Sequence, residues 1–144
     1  MSWFECKIRY DKTMENGMEK KVTEPYIVDA LTFTEAEARI TEEITPFISG
    51  EFTVSDIKRM NVAEIVTSNK ESDDRWFKVK LLFVTLDEKS GKEKSTASLL
   101  IVKAADLRQA VKRLDEHMKD SMADYRIANV TETAYIDVYQ YIGK

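Results

Sequence analysis

The sequence predicts an α+β fold, an internal duplication of a strand-strand-helix-strand unit with a mainly antiparallel sheet and two helices on one face. Three observations predict it: apolar residues alternate in some segments, recur at helical spacing in others, and the whole pattern occurs twice. Only 4 Gly and 2 Pro occur in 144 residues, which favours long regular elements and excludes a loop-rich scaffold.

The repeat is visible when the two halves of the chain are compared. Trp3 matches Trp76 at an offset of 73 residues, and Arg39 matches Arg113 after a one-residue shift. Apolar positions, turn residues and helix caps recur in the same order, which favours duplication over coincidence between two amphipathic stretches.

The repeat also predicts the domain organisation. We interpret residues 3–66 and 76–141 as pseudo-repeats joined by a polar connector at 67–75. Each repeat is short and has one helix, so we expect the two to share one core in a single domain over residues 1–144.

Each repeat opens with a predicted hairpin. Apolar residues occupy every second position of the first strands, as in half-buried strands: Phe4, Cys6, Ile8, Tyr10 and Phe77, Val79, Leu81, Phe83. Gly17 follows Asn and Gly91 follows Ser, and these dipeptides supply the positive φ that tight turns need. The second strands are predicted at about 22–28 and 96–102.

A helix follows each hairpin. Thr32 and Asp106 stand three residues before Glu35 and Gln109, which is the capping-box pattern. Apolar residues follow at helical spacing on one face: Phe33, Ala36, Ile40, Ile44, Phe47 and Leu107, Ala110, Leu114, Met118, Met122. Pro46 predicts that the first helix bends or ends near that position.

The closing strand of each repeat interrupts its own alternation. The step from Val54 to Ile57 breaks period two, and the step from Ile127 to Val130 does the same at the equivalent place. A β-bulge or a strand break at both positions is the simplest interpretation.

Composition excludes several kinds of site. The single cysteine, Cys6, cannot form an internal disulfide or a multi-cysteine zinc site, and His117 is the only histidine. The glycines are isolated, whereas phosphate-binding loops need clustered glycines. We therefore predict a non-enzymatic protein with no cofactor and no metal. Cys6 is interpreted as a buried small hydrophobe and His117 as a solvated helix residue. Three carboxylate pairs are interpreted as solvated charge: Glu42-Glu43, Asp73-Asp74 and Asp115-Glu116.

Charge and hydropathy bound the setting. The N-terminus lacks a basic region followed by an apolar stretch, and no apolar run approaches the ~20 residues that span a bilayer. We therefore expect a cytoplasmic protein with no membrane partner. The net charge of −4 argues against a dedicated non-specific DNA binder, but it leaves room for a local basic face.

One surface stands out as a candidate site. The outward positions of the two first strands carry two tryptophans and four cations: Trp3, Lys7, Arg9, Trp76, Lys78 and Lys80. Such a face can hold single-stranded nucleic acid, because bases stack on aromatic rings at about 1–3 kcal/mol each while cations contact phosphates. The alternative is that both tryptophans close the core edge and the cations are ordinary surface, and Glu5 weakens the binding hypothesis.

Several runs also resemble a known family. The runs are YDKTMENGMEKKVTEPYIVDAL (10–31), TFTEAEARI (32–40), FISGEFTVSDIK (47–58) and ADYRIANVTET (123–133). They resemble an uncharacterised family of short proteins, domain of unknown function number 4494, found in Bacteroidota genomes and their phages. The resemblance covers essentially the whole chain and implies a bacterial or phage origin and an intracellular setting, but no catalytic residues.

Two function hypotheses follow. The first is a single-stranded nucleic-acid-associated accessory factor of a phage or mobile element, which rests on the Trp/Lys face and the resemblance. The second is a protein-protein interaction or homo-oligomeric assembly module, because exposed strand edges need pairing or protection. A small-ligand binder is a third possibility for which the sequence selects no ligand.

Overall fold

The computed structural model describes residues 1–141 and confirms an α+β fold with eight strands and two helices. The strands are β1 (Ser2–Thr13), β2 (Glu19–Ala30), β3 (Phe52–Met60), β4 (Glu64–Val66), β5 (Arg75–Leu86), β6 (Glu93–Ala104), β7 (Tyr125–Glu132) and β8 (Val138–Tyr139). The helices are α1 (Phe33–Ile44) and α2 (Leu107–Met118).

The chain divides into two compact units. Unit 1 comprises Met1–Asn61 and the chain from Ala134 onward, and unit 2 comprises Val62–Thr133. Each unit has its own four-stranded sheet, ordered β3-β1-β2-β8 in unit 1 and β4-β6-β5-β7 in unit 2. The single-domain organisation stays a prediction.

The mainly antiparallel character of the sheets is confirmed. In unit 1, β1 pairs antiparallel with β2 and β3, and in unit 2, β5 pairs antiparallel with β6 and β7. The structure differs from the prediction in having two sheets instead of one. Each central hairpin fills its free edge with a short parallel strand, β8 beside β2 and β4 beside β6.

In both units the helix covers the inner face of the sheet. In unit 1 these buried residues are Phe4, Cys6, Ile8, Tyr26, Val28, Ala30, Ala36, Ile40 and Ile44. In unit 2 they are Val66, Phe77, Val79, Leu81, Leu100, Val102, Ala104, Ala110 and Leu114. The predicted alternation therefore identifies the core side of both first strands. The side opposite the helix is called the outer face below.

The helix starts are confirmed, and so is the end of the first helix near Pro46, because α1 stops at Ile44 and a short 3-10 turn at Thr45–Phe47 follows. The apolar spacing alone extends both helices too far. The Glu35 N–H donates to Thr32 Oγ1 at 3.1 Å, and the Gln109 N–H donates to Asp106 Oδ1 at 2.8 Å. Both helices stop after twelve residues. Phe47 is consequently 77% exposed and Met122 is 99% exposed, so their assignment to the apolar helix faces is wrong.

Turns and bulges lie where the sequence predicts them. Gly17 and Gly91 have φ of 81° and 68° at the hairpin tips. The β1–β3 register shifts between Lys7 and Ile8, and the β5–β7 register shifts at the equivalent Lys80–Leu81 step. One extra residue in β3 and one in β7 account for the broken alternation, and the β-bulge interpretation is confirmed.

Candidate nucleic-acid interface

The predicted site residues fall into two sets. Trp3, Lys7 and Arg9 lie on β1 of unit 1, whereas Trp76, Lys78 and Lys80 lie on β5 of unit 2. All four cations are exposed and Trp3 is half-buried, but Trp76 is only 3% exposed. A base cannot stack on a ring that solvent does not reach, so the predicted role of Trp76 in stacking is wrong.

Trp76 instead supports a cation. Its register partner on β6 is Lys103, whose Nζ lies 5.4 Å from the centroid of the indole ring. An ammonium at this distance is attracted to the face of the ring. The carbonyl of Trp76 also accepts two hydrogen bonds from Thr133, through the backbone N–H at 2.9 Å and the hydroxyl at 2.8 Å. Trp76 is therefore a buried residue whose ring packs against the partly exposed Lys103.

The outer face of the unit 2 sheet collects cations from three strands. Lys78 and Lys80 lie on β5, Lys103 lies on β6, and Arg126 lies on β7 opposite Leu82. We call these four residues the basic face. Sequence reasoning missed Lys103 and Arg126, because strand alternation alone does not give the register between strands.

No carboxylate shares these positions. Directly paired residues on neighbouring strands point to the same side of a sheet. On this face the partners of Trp76, Lys78, Lys80 and Leu82 are Lys103, Ile101, Leu99 and Ala97 on β6 and Thr131, Asn129 and Arg126 on β7. None of the four basic-face cations forms an ion pair with another residue of the described chain.

The equivalent face of unit 1 carries both cations and carboxylates. Its register places Glu5 where unit 2 has Lys78, Asp29 where unit 2 has Lys103, and Asp56 where unit 2 has Asn129. Lys7 therefore lies opposite Asp56 and Glu5 lies opposite Lys58, whereas Asp29 is buried and paired with Arg39. The basic face has no carboxylate at its directly paired positions. The faces also differ where unit 1 has Lys58 and Arg9 and unit 2 has Thr131 and Leu82, and where unit 1 has Thr53 and unit 2 has Arg126.

Each unit contains an ion pair between an arginine of its helix and a buried aspartate. Arg39 on α1 pairs with Asp29, and Arg113 on α2 pairs with Asp73 at 3.1 Å between Nη2 and Oδ2. Asp73 is 2% exposed and also accepts a hydrogen bond from Ser68. Its interpretation as solvated charge is wrong, because the connector folds back and buries this carboxylate against α2.

The only histidine and the acidic side chains of the described residues do not form a recognisable metal site. His117 is exposed on α2, and its Nε2 lies 2.9 Å from Glu64 Oε1 on β4. Within residues 1–141 no group of three His, Cys, Asp or Glu side chains is placed to hold a metal ion. Over the same residues no helix is long and apolar enough to cross a membrane.

Cys6 is expected to be inert toward thiol reagents. It is fully buried, as predicted, and burial, reinforced by Glu5 and Asp56, raises the pKa of its thiol to about 12. The reactive thiolate is therefore scarce at neutral pH. We expect the native protein to resist a disulfide reagent at pH 8 and to react with one equivalent after unfolding in denaturant. Fast labelling of the native protein would contradict this placement.

The fold and the surface together define a class: an α+β protein of two similarly ordered units, one of which carries exposed cations on the outer side of its sheet. The model of the family described as Domain of unknown function (DUF4494) matches residues 2–141, and the chain belongs to this family. Neither the curated proteins nor the solved structures give a significant match.

Proposed function

We propose that the protein is a non-enzymatic nucleic-acid-binding protein that contacts the phosphate backbone through the basic face. The observation that supports this most directly is the grouping of Lys78, Lys80, Lys103 and Arg126 on one sheet face with no carboxylate at the positions directly paired with β5 residues 76–82. Residues two apart on a strand are about 7 Å apart and paired residues about 5 Å apart, so the cations can contact neighbouring phosphates.

The kind of recognition follows from the side chains available. The basic face offers charge and aliphatic surface, since Leu82 and Leu99 lie beside the cations and Trp76 is buried. Phosphate contacts position a protein without reading sequence. The proposal is therefore sequence-independent binding that depends strongly on salt. We also propose an accessory role in a bacterial or phage cytoplasm, on the basis of the family resemblance.

We also propose that the two units arose by internal duplication. The support is the shared order strand, strand, helix, strand, together with a β-bulge at the equivalent step of each sheet. Duplication would explain how one outer face could acquire cations while the other kept its carboxylates.

The double variant Lys78→Glu/Lys80→Glu is expected to lose at least tenfold in affinity for a fluorescent single-stranded oligonucleotide. Four phosphate contacts predict a salt slope of about −3, which is about a 50-fold loss of affinity between 50 and 200 mM salt. Removing two of the four contacts should at least halve that slope. Fluorescence anisotropy at several salt concentrations measures both quantities.

The matched control is Lys7→Glu/Arg9→Glu on the outer face of unit 1, where both side chains are exposed. It makes the same change in net charge at a face that already contains carboxylates, and we expect a smaller loss. Equal losses in the two variants would overturn the assignment to the basic face. No binding by the unaltered protein at about 100 μM, the upper range of non-specific affinities, would overturn the function itself.

A further inference from the structure

The short parallel strand at the edge of each sheet comes from the opposite half of the sequence. After β3 of unit 1 the chain enters unit 2 at Val62, and β4 pairs with β6 there. After β7 of unit 2 it returns to unit 1 at Ala134, and β8 pairs with β2. Each sheet is therefore completed by a strand that follows the third strand of the other repeat.

From this path we infer that residues 134–141, the closing segment, form an exchangeable strand, and that a second copy of this chain can supply it. The result is a strand-exchanged homodimer. Such an exchange is a low-cost route to dimers, because the contacts made between copies are the same as those made within one copy.

The closing segment is held by contacts to unit 1. The Ile136 N–H donates to the Pro25 carbonyl at 2.9 Å, and the Ile27 N–H donates to the Asp137 carbonyl at 3.1 Å. The Tyr141 N–H donates to Asp29 Oδ1 at 2.6 Å. All of these partners lie in the acceptor sheet or on the segment itself, so they are satisfied whichever copy provides the segment.

The side chains of the closing segment are complementary to the edge of the unit 1 sheet, so a segment of the same sequence fits this edge. Burial and a hydrogen bond to Glu5 raise the pKa of Tyr135, so its phenol stays protonated and donates to Glu5 Oε2 at 2.6 Å. The Tyr139 ring stacks on Tyr26 with centroids 6.1 Å apart, and Arg39 lies 4.9 Å from the Tyr141 ring centroid. A second copy supplies all three tyrosines in register.

Release of the segment leaves the rest of the chain connected. Its strand pairing covers only two residue pairs, Ile27 with Val138 and Val28 with Tyr139. The units remain joined at Asn61–Val62 when the segment departs, because the chain crosses between them there as well. Exchange therefore requires a new backbone path only near Thr133–Ala134.

A cysteine pair distinguishes the two arrangements in the full-length chain. Ile27→Cys/Val138→Cys places thiols at directly paired positions, within reach of a disulfide. The protein is unfolded and then refolded at about 1 μM and at about 1 mM before oxidation. We expect disulfides within one chain at the low concentration. At the high concentration we expect a covalent dimer of twice the 16.7 kDa chain mass.

The matched control is Arg9→Cys/Thr23→Cys, an exposed pair within the β1–β2 hairpin. It should link within one chain at every concentration, since the hairpin is not exchanged. Because Ile27 is fully buried and its replacement could impair folding, light scattering on the unaltered chain after the same refolding is the second measurement. Only monomers in that measurement, or dimers in which the Ile27→Cys/Val138→Cys link stays within one chain, would overturn the inference.

Discussion

Arg113→Met is expected to lower the free energy of unfolding by about 3–5 kcal/mol, because it leaves a buried carboxylate without its charged partner. Asp73 is 2% exposed, and the Arg113 guanidinium reaches Asp73 Oδ2 from Nε at 3.2 Å and from Nη2 at 3.1 Å. Methionine keeps much of the volume and apolar contact of the arginine stem. Chemical denaturation followed by circular dichroism measures the loss.

Two controls separate the ion pair from ordinary packing. Arg113→Met/Asp73→Asn removes the charge together with its partner, so it should recover much of the stability that the single variant loses. Arg75→Met breaks the exposed pair between Arg75 and Glu132, and we expect a loss below about 1 kcal/mol. If Arg113→Met cost no more than Arg75→Met, the buried ion pair would not stabilise unit 2.

The same group gives a pH dependence with a defined sign. A hydrogen bond from Ser68, opposed by burial and helped by Arg113, holds the pKa of Asp73 below its ordinary value. A carboxyl whose pKa is lower in the folded state contributes its full stabilisation above the unfolded pKa of about 3.9 and loses it as the pH falls further. In Asp73→Asn this part of the acid destabilisation should disappear.

The sequence was sufficient for features determined locally. A Thr or Asp three residues before Glu or Gln specifies a helix start through one backbone hydrogen bond, and both Thr32 and Asp106 make it. The β-bulges were equally accessible, because an inserted residue moves every later side chain to the other face. In both cases the signal lies within a few consecutive residues.

The presence of two sheets could not be predicted from the local sequence pattern. β4 and β8 contain three and two residues, too few for alternation to be visible. Their partners lie more than thirty residues away, and parallel pairing leaves no turn signal to mark it. The pairing of β4 and β8 with the opposite unit was therefore not predictable from the local pattern.

The candidate site was predictable only in part. Alternation placed Lys78, Lys80 and Trp76 on the outer face correctly, but it does not say whether a side chain on that face is covered. Trp76 is buried. Lys103 and Arg126 join the face only once the register of three strands is known. Asp73 escaped detection because a charged loop residue resembles a solvated one until its partner on α2 is located.

Ile40→Ala and Leu114→Ala are each expected to lower the free energy of unfolding by about 2–5 kcal/mol within a single cooperative transition. The two residues occupy equivalent helix positions and are fully buried in units 1 and 2 respectively. Truncation removes buried methyl groups and leaves a cavity. Because β4 and β8 each complete the sheet of the opposite repeat, loss of one unit deprives the other of a strand.

The tryptophans allow each unit to be followed separately. Trp3 lies in unit 1 and Trp76 in unit 2, so Trp76→Phe leaves a reporter for unit 1 and Trp3→Phe leaves one for unit 2. In a single-domain protein, Ile40→Ala must shift the transition seen by Trp76 as far as the one seen by Trp3. If each substitution shifts only the reporter of its own unit, the units unfold independently, and the crossing of β4 and β8 between the units does not couple them. The shared transition would then be replaced by two transitions with separate midpoints, and the single-domain prediction would be wrong.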